Sequence, residues 1–272
     1  RARPVTVLAR PARSGKTARG VELFVRANAP GRSPLVLAPD SEAARAMRRR
    51  LLARIPVLAT DSVSTFVGLS ERILAASGSP ATLISSHERE LVLRGIVSGL
   101  LSSGRLRFFA GSSAFDGFYA ELAAFIAELK SCQIEPEAFR DAAYDNKTQR
   151  DRELAEIYRL YQRELEERGL YDTEGRFWQA RIIVETSASG ALGHTDVFLD
   201  GFSDFTANEL ALLGAFAGGA REVLVTLPYD SKRHDLFEKT FHTLGRLKRD
   251  YVVKLEELPA DGGGGASAII SR

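Results

Sequence analysis

Residues 5–20, Val-Thr-Val-Leu-Ala-Arg-Pro-Ala-Arg-Ser-Gly-Lys-Thr-Ala-Arg-Gly, constrain this chain more than any other stretch. The run Val5, Thr6, Val7, Leu8 is apolar and β-branched, which reads as a buried strand. Pro11 and Gly15 break it, and Ser14-Gly15-Lys16-Thr17 opens a segment that can be helical. Strand, tight loop, Gly-Lys-Thr and helix make a phosphate-binding loop, in which successive backbone N–H groups and a helix N-terminus face an anion. In that reading Ser14, Gly15, Lys16 and Thr17 hold ATP, with Arg13 beside them. Lys16 meets the β/γ-phosphates, and the Thr17 hydroxyl holds Mg²⁺. The pattern G-x-x-x-x-G-K-[ST] asks for glycine where Arg10 stands, and Arg13 places a bulky side chain inside the loop. The alternative is a strand–turn–helix that merely ends in Gly-Lys-Thr.

The alternation continues. A helix is expected over 18–27, a second buried strand over 35–38, and a helix over 42–54 capped by Asp40 or Ser41. A third strand ends in Val63-Ser64-Thr65-Phe66, and a helix resumes over 68–76. Strand–helix repetition of this kind signals a parallel sheet covered on both faces. The pattern then changes. Helices are expected over 86–101, with a capping box starting at Ser86, and over 115–129, 136–143 and 147–168. The last of these carries Leu154, Ile157, Tyr158, Tyr161 and Leu165 on its seam. Its Arg150, Asp151, Arg152, Glu153 run reads as a solvated face. The α/β pattern returns with a helix from Asp172 to about residue 185, a strand over 195–200 ending in Asp200, and a helix over 205–216. A strand over 222–227, a helix over 236–249 and a last strand over 251–255 follow, and Gly262 to Gly265 reads as a hinge. The expected fold is therefore α/β with a parallel sheet and an inserted all-helical subdomain. Its expected segments are 1–85 and 171–261 for the phosphate-loop domain, 86–170 for the insertion and 262–272 for a glycine-rich linker.

Composition narrows the function classes. With 272 residues and a formal net charge of +2, there is no global polyanion-binding signal, so any nucleic-acid surface is a local patch. The cluster Arg45, Arg48, Arg49, Arg50, Arg54 is one candidate, against the plainer reading of a solvated helix face. The single Cys132 excludes an internal disulfide framework and reads as a small buried hydrophobe. No run approaches a membrane span and no secretory segment is visible, so a cytoplasmic protein with no membrane partner is expected. The four histidines show no ligand spacing. Trp178 is expected to pack the insertion against the sheet, and Asp204 to support Asp200 or cap the helix after it.

A second acid completes a phosphate-loop site, and Asp200, at the end of an apolar strand, is the Mg²⁺ candidate beside Thr17. Several segments carry a more specific likeness. Ala38-Pro39-Asp40-Ser41-Glu42-Ala43-Ala44-Arg45-Ala46-Met47 resembles the T-x-x-x-A-A-x-x-M segment of superfamily 1 helicases of the UvrD type. Val63-Ser64-Thr65-Phe66 resembles their DNA-contacting T-F-H-S-F motif, Gly169-Leu170-Tyr171-Asp172 the segment before their second acidic strand, and Phe198-Leu199-Asp200-Gly201-Phe202-Ser203-Asp204 their V-D-E-F-Q-D. The order of these segments, the Asp-Gly-Phe-Ser-Asp-Phe-Thr run and the later Leu-Pro-Tyr-Asp resemble most the AddB/RexB family, the B subunits of bacterial helicase–nucleases. The loop itself looks like that family's G-P-A-G-S-G-K-T with two glycines replaced by arginine.

The resemblance implies a RecA-like phosphate-loop domain in a subunit that processes DNA ends for recombinational repair of double-strand breaks. It implies an A-type helicase–nuclease subunit as partner, single-stranded DNA or a duplex end as substrate, and DNA contacts at Thr65, Phe66 and Arg45; the alternative for Phe66 is a core phenylalanine. It also implies that a second motor domain and a nuclease with an iron–sulfur cluster lie beyond Arg272. The motors' catalytic Glu falls on Gly201 and their DNA-contacting His on Val67. Glycine cannot act as a general base, whose help is worth about 10²–10⁴ in rate, so no catalytic residue is assigned and hydrolysis is expected to be weak or absent. Two other readings stay open: an active phosphate-loop motor or kinase, and a scaffold domain that binds no nucleotide.

Overall fold

The computed structural model describes residues 5–10, 15–78, 82–146, 148–186, 194–229 and 237–257. Residues 11–14, with Arg13 and Ser14, and the glycine run at 262–265 lie outside them. In chain order the elements are β1 (Val5–Arg10), α1 (Lys16–Ala27), β2 (Pro34–Ala38), α2 (Ser41–Leu52), β3 (Val63–Thr65), α3 (Phe66–Ala76) and β4 (Thr82–Leu83). Then come α4 (Ser86–Ser102), α5 (Asp116–Ser131), α6 (Pro136–Asn146), α7 (Gln149–Glu167), β5 (Leu170–Tyr171) and α8 (Thr173–Thr186). The chain continues with β6 (Asp196–Leu199), α9 (Ala207–Ala217), β7 (Glu222–Pro228), α10 (Glu238–Asp250) and β8 (Val253–Glu257). They fall into two compact units. One comprises Arg1–Ala76, Arg181–Phe205 and Glu209–Arg272, the other Ser77–Ala180 and Thr206–Asn208.

The first unit is built on a six-stranded sheet in the order β3-β2-β6-β7-β1-β8, and every pairing within it is parallel. The strands are apolar on both faces because helices cover both. Leu8, Val36, Phe198 and Leu224 turn to one side, where Phe24 of α1 and Met47 and Leu51 of α2 bury them. Their neighbours Val7, Leu37, Val197 and Val225 are buried as well, and strict alternation puts them on the other side. The amino ends of β2 and β6 are tied together by Arg32, whose Nε donates to Asp196 Oδ2 at 3.0 Å and whose Nη2 pairs with Oδ1 of the same fully buried carboxylate. α2 starts where expected: the Asp40 carboxylate accepts the Ala43 N–H at 2.8 Å, so of the two candidates Asp40 is the cap.

The second unit is helical, apart from the short parallel pair β4–β5. Its core gathers Leu93, Val97, Leu122, Ile126, Ile157, Tyr158 and Tyr161, so both tyrosines serve the seam of α7. The capping box of α4 is Ser85 with Glu88, one residue before the expected Ser86, because only Ser85 has an acid three positions on. The expected solvated face of α7 is solvated only in part: Arg150 and Arg152 are exposed, but the two acids are not. Asp151 and Glu153 are both buried, and Glu153 accepts N–H groups from Arg107, Phe108 and Phe109. Trp178 donates from Nε1 to the Lys130 carbonyl and to Asn208 Oδ1, at 3.2 and 3.1 Å, within this unit. Cys132 is exposed rather than buried: α5 ends at Ser131, and Cys132 is its C-cap, just before the left-handed Gln133 at φ 62°.

Candidate functional site

The parallel order places the ends of β1, β7 and β6 side by side at the carboxyl edge of the sheet. α1 begins at Lys16 behind Gly15, whose φ of 79° and ψ of 11° are left-handed and suit glycine. Gly15 supplies no side-chain cap, and the first turn of α1 contains no acid. By contrast α2, α4 and α7 each start with a side-chain cap and an acid. Among the described residues, α1 thus brings neither a side-chain cap nor an acid in its own first turn.

Thr17, on the first turn, donates its hydroxyl to Asp200 Oδ2 at 2.9 Å, with Oδ1 at 3.3 Å. Asp200 follows β6 directly and is held by its own N–H, which donates to the Leu37 carbonyl at 3.1 Å. A third residue joins them. Thr226, on the intervening strand β7 and 3% exposed, donates its hydroxyl to Asp200 Oδ1 at 2.7 Å. Among the described residues the half-buried carboxylate of Asp200 has hydroxyl partners and no ion pair. A carboxylate flanked by hydroxyl oxygens is a donor set that a hard divalent cation such as Mg²⁺ prefers. Lys16 is half-buried at the same helix start.

Thr226 had one visible signal in the sequence: it is the polar residue in the middle of Val223-Leu224-Val225-Thr226-Leu227, a strand buried on both faces. A hydroxyl there needs a partner, and the partner is 26 positions earlier.

Next to Asp200, Gly201 sits at φ 90°, a conformation that side-chain-bearing residues rarely adopt. A Cβ there would lie 3.5 Å from Pro39, so backbone rather than space selects glycine. Asp204 does not touch Asp200. It accepts the Phe205 N–H at 2.8 Å and the Thr243 hydroxyl at 3.0 Å, and α9 begins only at Ala207, so it is not that helix's cap either.

The residues expected to touch DNA are not gathered with this group. Phe66 is 2% exposed and packs edge-on against Phe202 and Phe205, with ring centroids 5.7 and 6.3 Å apart, so its ring has no face left for a base. The Thr65 hydroxyl accepts the Gly68 N–H at 3.1 Å and caps α3. Arg45 is exposed on α2, whereas Arg48 from the same cluster turns back and donates to the Thr60 and Val63 carbonyls. His194 is held by Ser33 through Nδ1, and burial lowers its pKa below the ordinary histidine value.

Elsewhere a second ionised group was not foreseen. In the helical unit Lys130 Nζ lies 2.6 Å from Asp172 Oδ1, and the two side chains are 0% and 1% exposed. Asp172 also accepts from the Tyr161 hydroxyl at 3.0 Å and from the Gly175 N–H at 2.7 Å, while Lys130 donates to Gln162 at 3.0 Å. Burial pushes the Asp172 pKa up, but Lys130 and the N–H of Gly175 outweigh it and hold the carboxyl below its ordinary value. With every partner satisfied, this pair is a packing device.

A family model described as "ADDB, N-terminal" matches residues 12–256. This chain belongs to the AddB family. Relatives named as the B-type subunit of an "ATP-dependent helicase/deoxyribonuclease" include one from Moorella thermoacetica, 30% identical over 263 residues, covering 87% of this chain and 22% of the relative. Another, from Symbiobacterium thermophilum, is 29% identical over 79% of this chain and 19% of its own length. A third, from Natranaerobius thermophilus, is 24% identical over 80% of this chain and 20% of its own. The chain thus spans about a fifth of the length of these relatives.

Proposed function

We propose that this AddB-family chain is a RecA-like nucleotide-binding region of a B-type helicase–nuclease subunit, which binds Mg²⁺-ATP and DNA during recombinational repair of double-strand breaks. The observation that carries the reading is the Asp200 carboxylate, which meets Thr17 from the Gly-Lys-Thr segment across the end of β7 and has no ion pair among the described residues. Thr17 and Asp200 would hold the Mg²⁺, and Lys16 with the start of α1 would face the phosphates. The bound ion would supply charge neutralisation for the phosphate oxygens. Thr226 keeps one carboxylate oxygen turned inward, so the other is aimed at Thr17.

Hydrolysis is weak or absent in this reading. Gly201 offers no carboxylate beside Asp200, and its backbone is set in a glycine conformation. That favours a nucleotide holder over an active motor. The relatives' names describe one subunit of an ATP-dependent helicase and deoxyribonuclease, which supports an A-type partner and DNA as ligand. Arg45 remains the DNA contact proposed from the resemblance. A cytoplasmic setting belongs to the same proposal; among the described residues no helix is long and apolar enough to cross a membrane.

The test is titration with a fluorescent ATP analogue, with and without Mg²⁺, in the chain and in Lys16→Ala, alongside ATP turnover. Mg²⁺-dependent binding lost in Lys16→Ala, with negligible turnover, is the expected result. Absence of binding leaves a scaffold, and fast turnover restores the motor.

A further inference from the structure

The loop between α4 and α5 in the helical unit exposes two large aromatic rings while its backbone is tightly held. Phe108 is 55% and Phe115 70% exposed. Burying such rings is worth roughly 2 kcal/mol each, so leaving both in water needs a reason. Disorder is not that reason. Glu153, 6% exposed on α7, accepts three successive N–H groups, from Arg107, Phe108 and Phe109, at 2.8, 2.9 and 3.1 Å. Gln149 donates to the same carboxylate at 2.9 Å. Further along, the buried Tyr119 donates its hydroxyl to the Ser113 carbonyl at 2.9 Å, and Ser113 donates to the Ala110 carbonyl at 2.7 Å. The neighbouring ring, Phe109, leans inward on Phe118 with centroids 5.4 Å apart, so the loop sorts one ring in and two out.

We propose that Phe108 and Phe115 form a stacking platform for the bases of single-stranded DNA, with Arg107 as a phosphate contact. This rests on the reading that the chain engages DNA. Three observations select a nucleic acid over a protein. Residues 103–115 contain Arg105 and Arg107 and no acidic residue. Arg105 is paired with Glu156, but the exposed Arg107 side chain has no hydrogen bond or ion pair among the described residues. Phe108 packs edge-on against the inward Phe109, with centroids 4.9 Å apart, yet stays 55% exposed. The residues from there to Phe115, Ala110, Gly111, Ser112, Ser113 and Ala114, are small, so the exposed surfaces of Phe108 and Phe115 do not merge into the contiguous apolar patch a protein partner would cover. Stacking tolerates any base, and a loop already fixed by Glu153 loses little freedom on binding.

The experiment is fluorescence anisotropy of a labelled oligothymidine strand with the full chain, in wild type and in the double variant Phe108→Ala, Phe115→Ala. Stacking energies predict at least a tenfold loss of affinity in the double variant. Arg107→Gln should flatten the slope of log affinity against log salt by about 0.7, the value of one phosphate contact on a single strand. Phe108→Trp should keep the affinity, and its added fluorescence, read as the difference from the wild type with its one tryptophan, should be quenched by the strand. The platform is overturned if the double variant binds within twofold of wild type or if Trp at 108 is not quenched. It is also overturned if the double variant keeps its DNA affinity and instead loses association with a partner subunit. If the wild type binds no oligothymidine, the DNA part of the proposed function falls with it. If the wild type binds and the double variant matches it, the platform alone falls.

Discussion

Two aspartates in this chain, Asp172 and Asp200, follow a strand and accept a hydroxyl hydrogen bond, yet their surroundings differ. Asp172, after β5, is 1% exposed and sits 2.6 Å from Lys130, with Tyr161 and the Gly175 N–H completing its shell. Asp200, after β6, is half-buried, meets the hydroxyls of Thr17 and Thr226, and has no ion pair among the described residues. Charge compensation separates them. A carboxylate neutralised inside the fold is part of the packing, whereas one whose partners among the described residues are hydroxyls is, in the proposed function, the one that meets a cation.

The sharpest way to break this contrast is to remove one partner from each. Lys130→Ala leaves the buried Asp172 uncompensated and should cost about 3–5 kcal/mol, read as a lowered midpoint in urea unfolding monitored by circular dichroism. Asp200→Ala should cost less, about 1–3 kcal/mol for the buried Thr226 hydroxyl left unpaired, and weaken Mg²⁺-nucleotide binding by roughly 10- to 100-fold or more, while Mg²⁺-free binding stays as it was. If Lys130→Ala is mild and Asp200→Ala unfolds the chain, the two roles have been assigned the wrong way round.

A third carboxylate lies between these extremes. Burial pushes the Glu153 pKa up, but the N–H groups of Phe108 and Arg107, then Gln149 and Phe109, outweigh it and hold it below the ordinary value of 4.5. A depressed folded-state pKa contributes stability that is fully present above the unfolded value and is lost as pH falls through the folded one. Loop 103–115 should therefore keep its amide protection down to about pH 4.5 and lose it below, as hydrogen exchange measured at several pH values would show. Glu153→Gln should weaken that protection at neutral pH by about 1 kcal/mol, because it removes the charge but keeps an acceptor. The smallest effect is expected at Gly20, buried within α1, where an added Cβ would meet nothing within 4 Å. Gly20→Ala should raise stability by about 0.5–1 kcal/mol through helix propensity alone, checked by thermal melting.

Most of the sheet was legible in the sequence because its strands are short apolar runs buried on both faces, and punctuation by Pro39-Asp40 or Pro228 marks where they end. The meeting of Thr17 and Asp200 was legible for the same reason: each follows an apolar strand, and in a parallel sheet such residues emerge at one edge. What stayed hidden depends on partners distant in sequence. The Arg-Asp-Arg-Glu run of α7 looks solvated by its alternation, but Glu153 answers N–H groups some 45 residues earlier. Lys130 and Asp172, 42 positions apart, leave no local period to read. Phe66, whose motif suggested an open ring, follows a three-residue strand and turns inward against Phe202 and Phe205. Local chemistry also corrects itself: Ser85 rather than Ser86 has Glu88 at the capping spacing.

The central claim is that Thr17 and Asp200 hold a divalent ion for a bound nucleotide. Titrating Mg²⁺ at a fixed, subsaturating ATP analogue in wild type and Asp200→Asn tests it most directly. A saturable Mg²⁺-dependent rise in binding that is present in wild type and absent in Asp200→Asn is predicted. An identical Mg²⁺ response in the two proteins would contradict it.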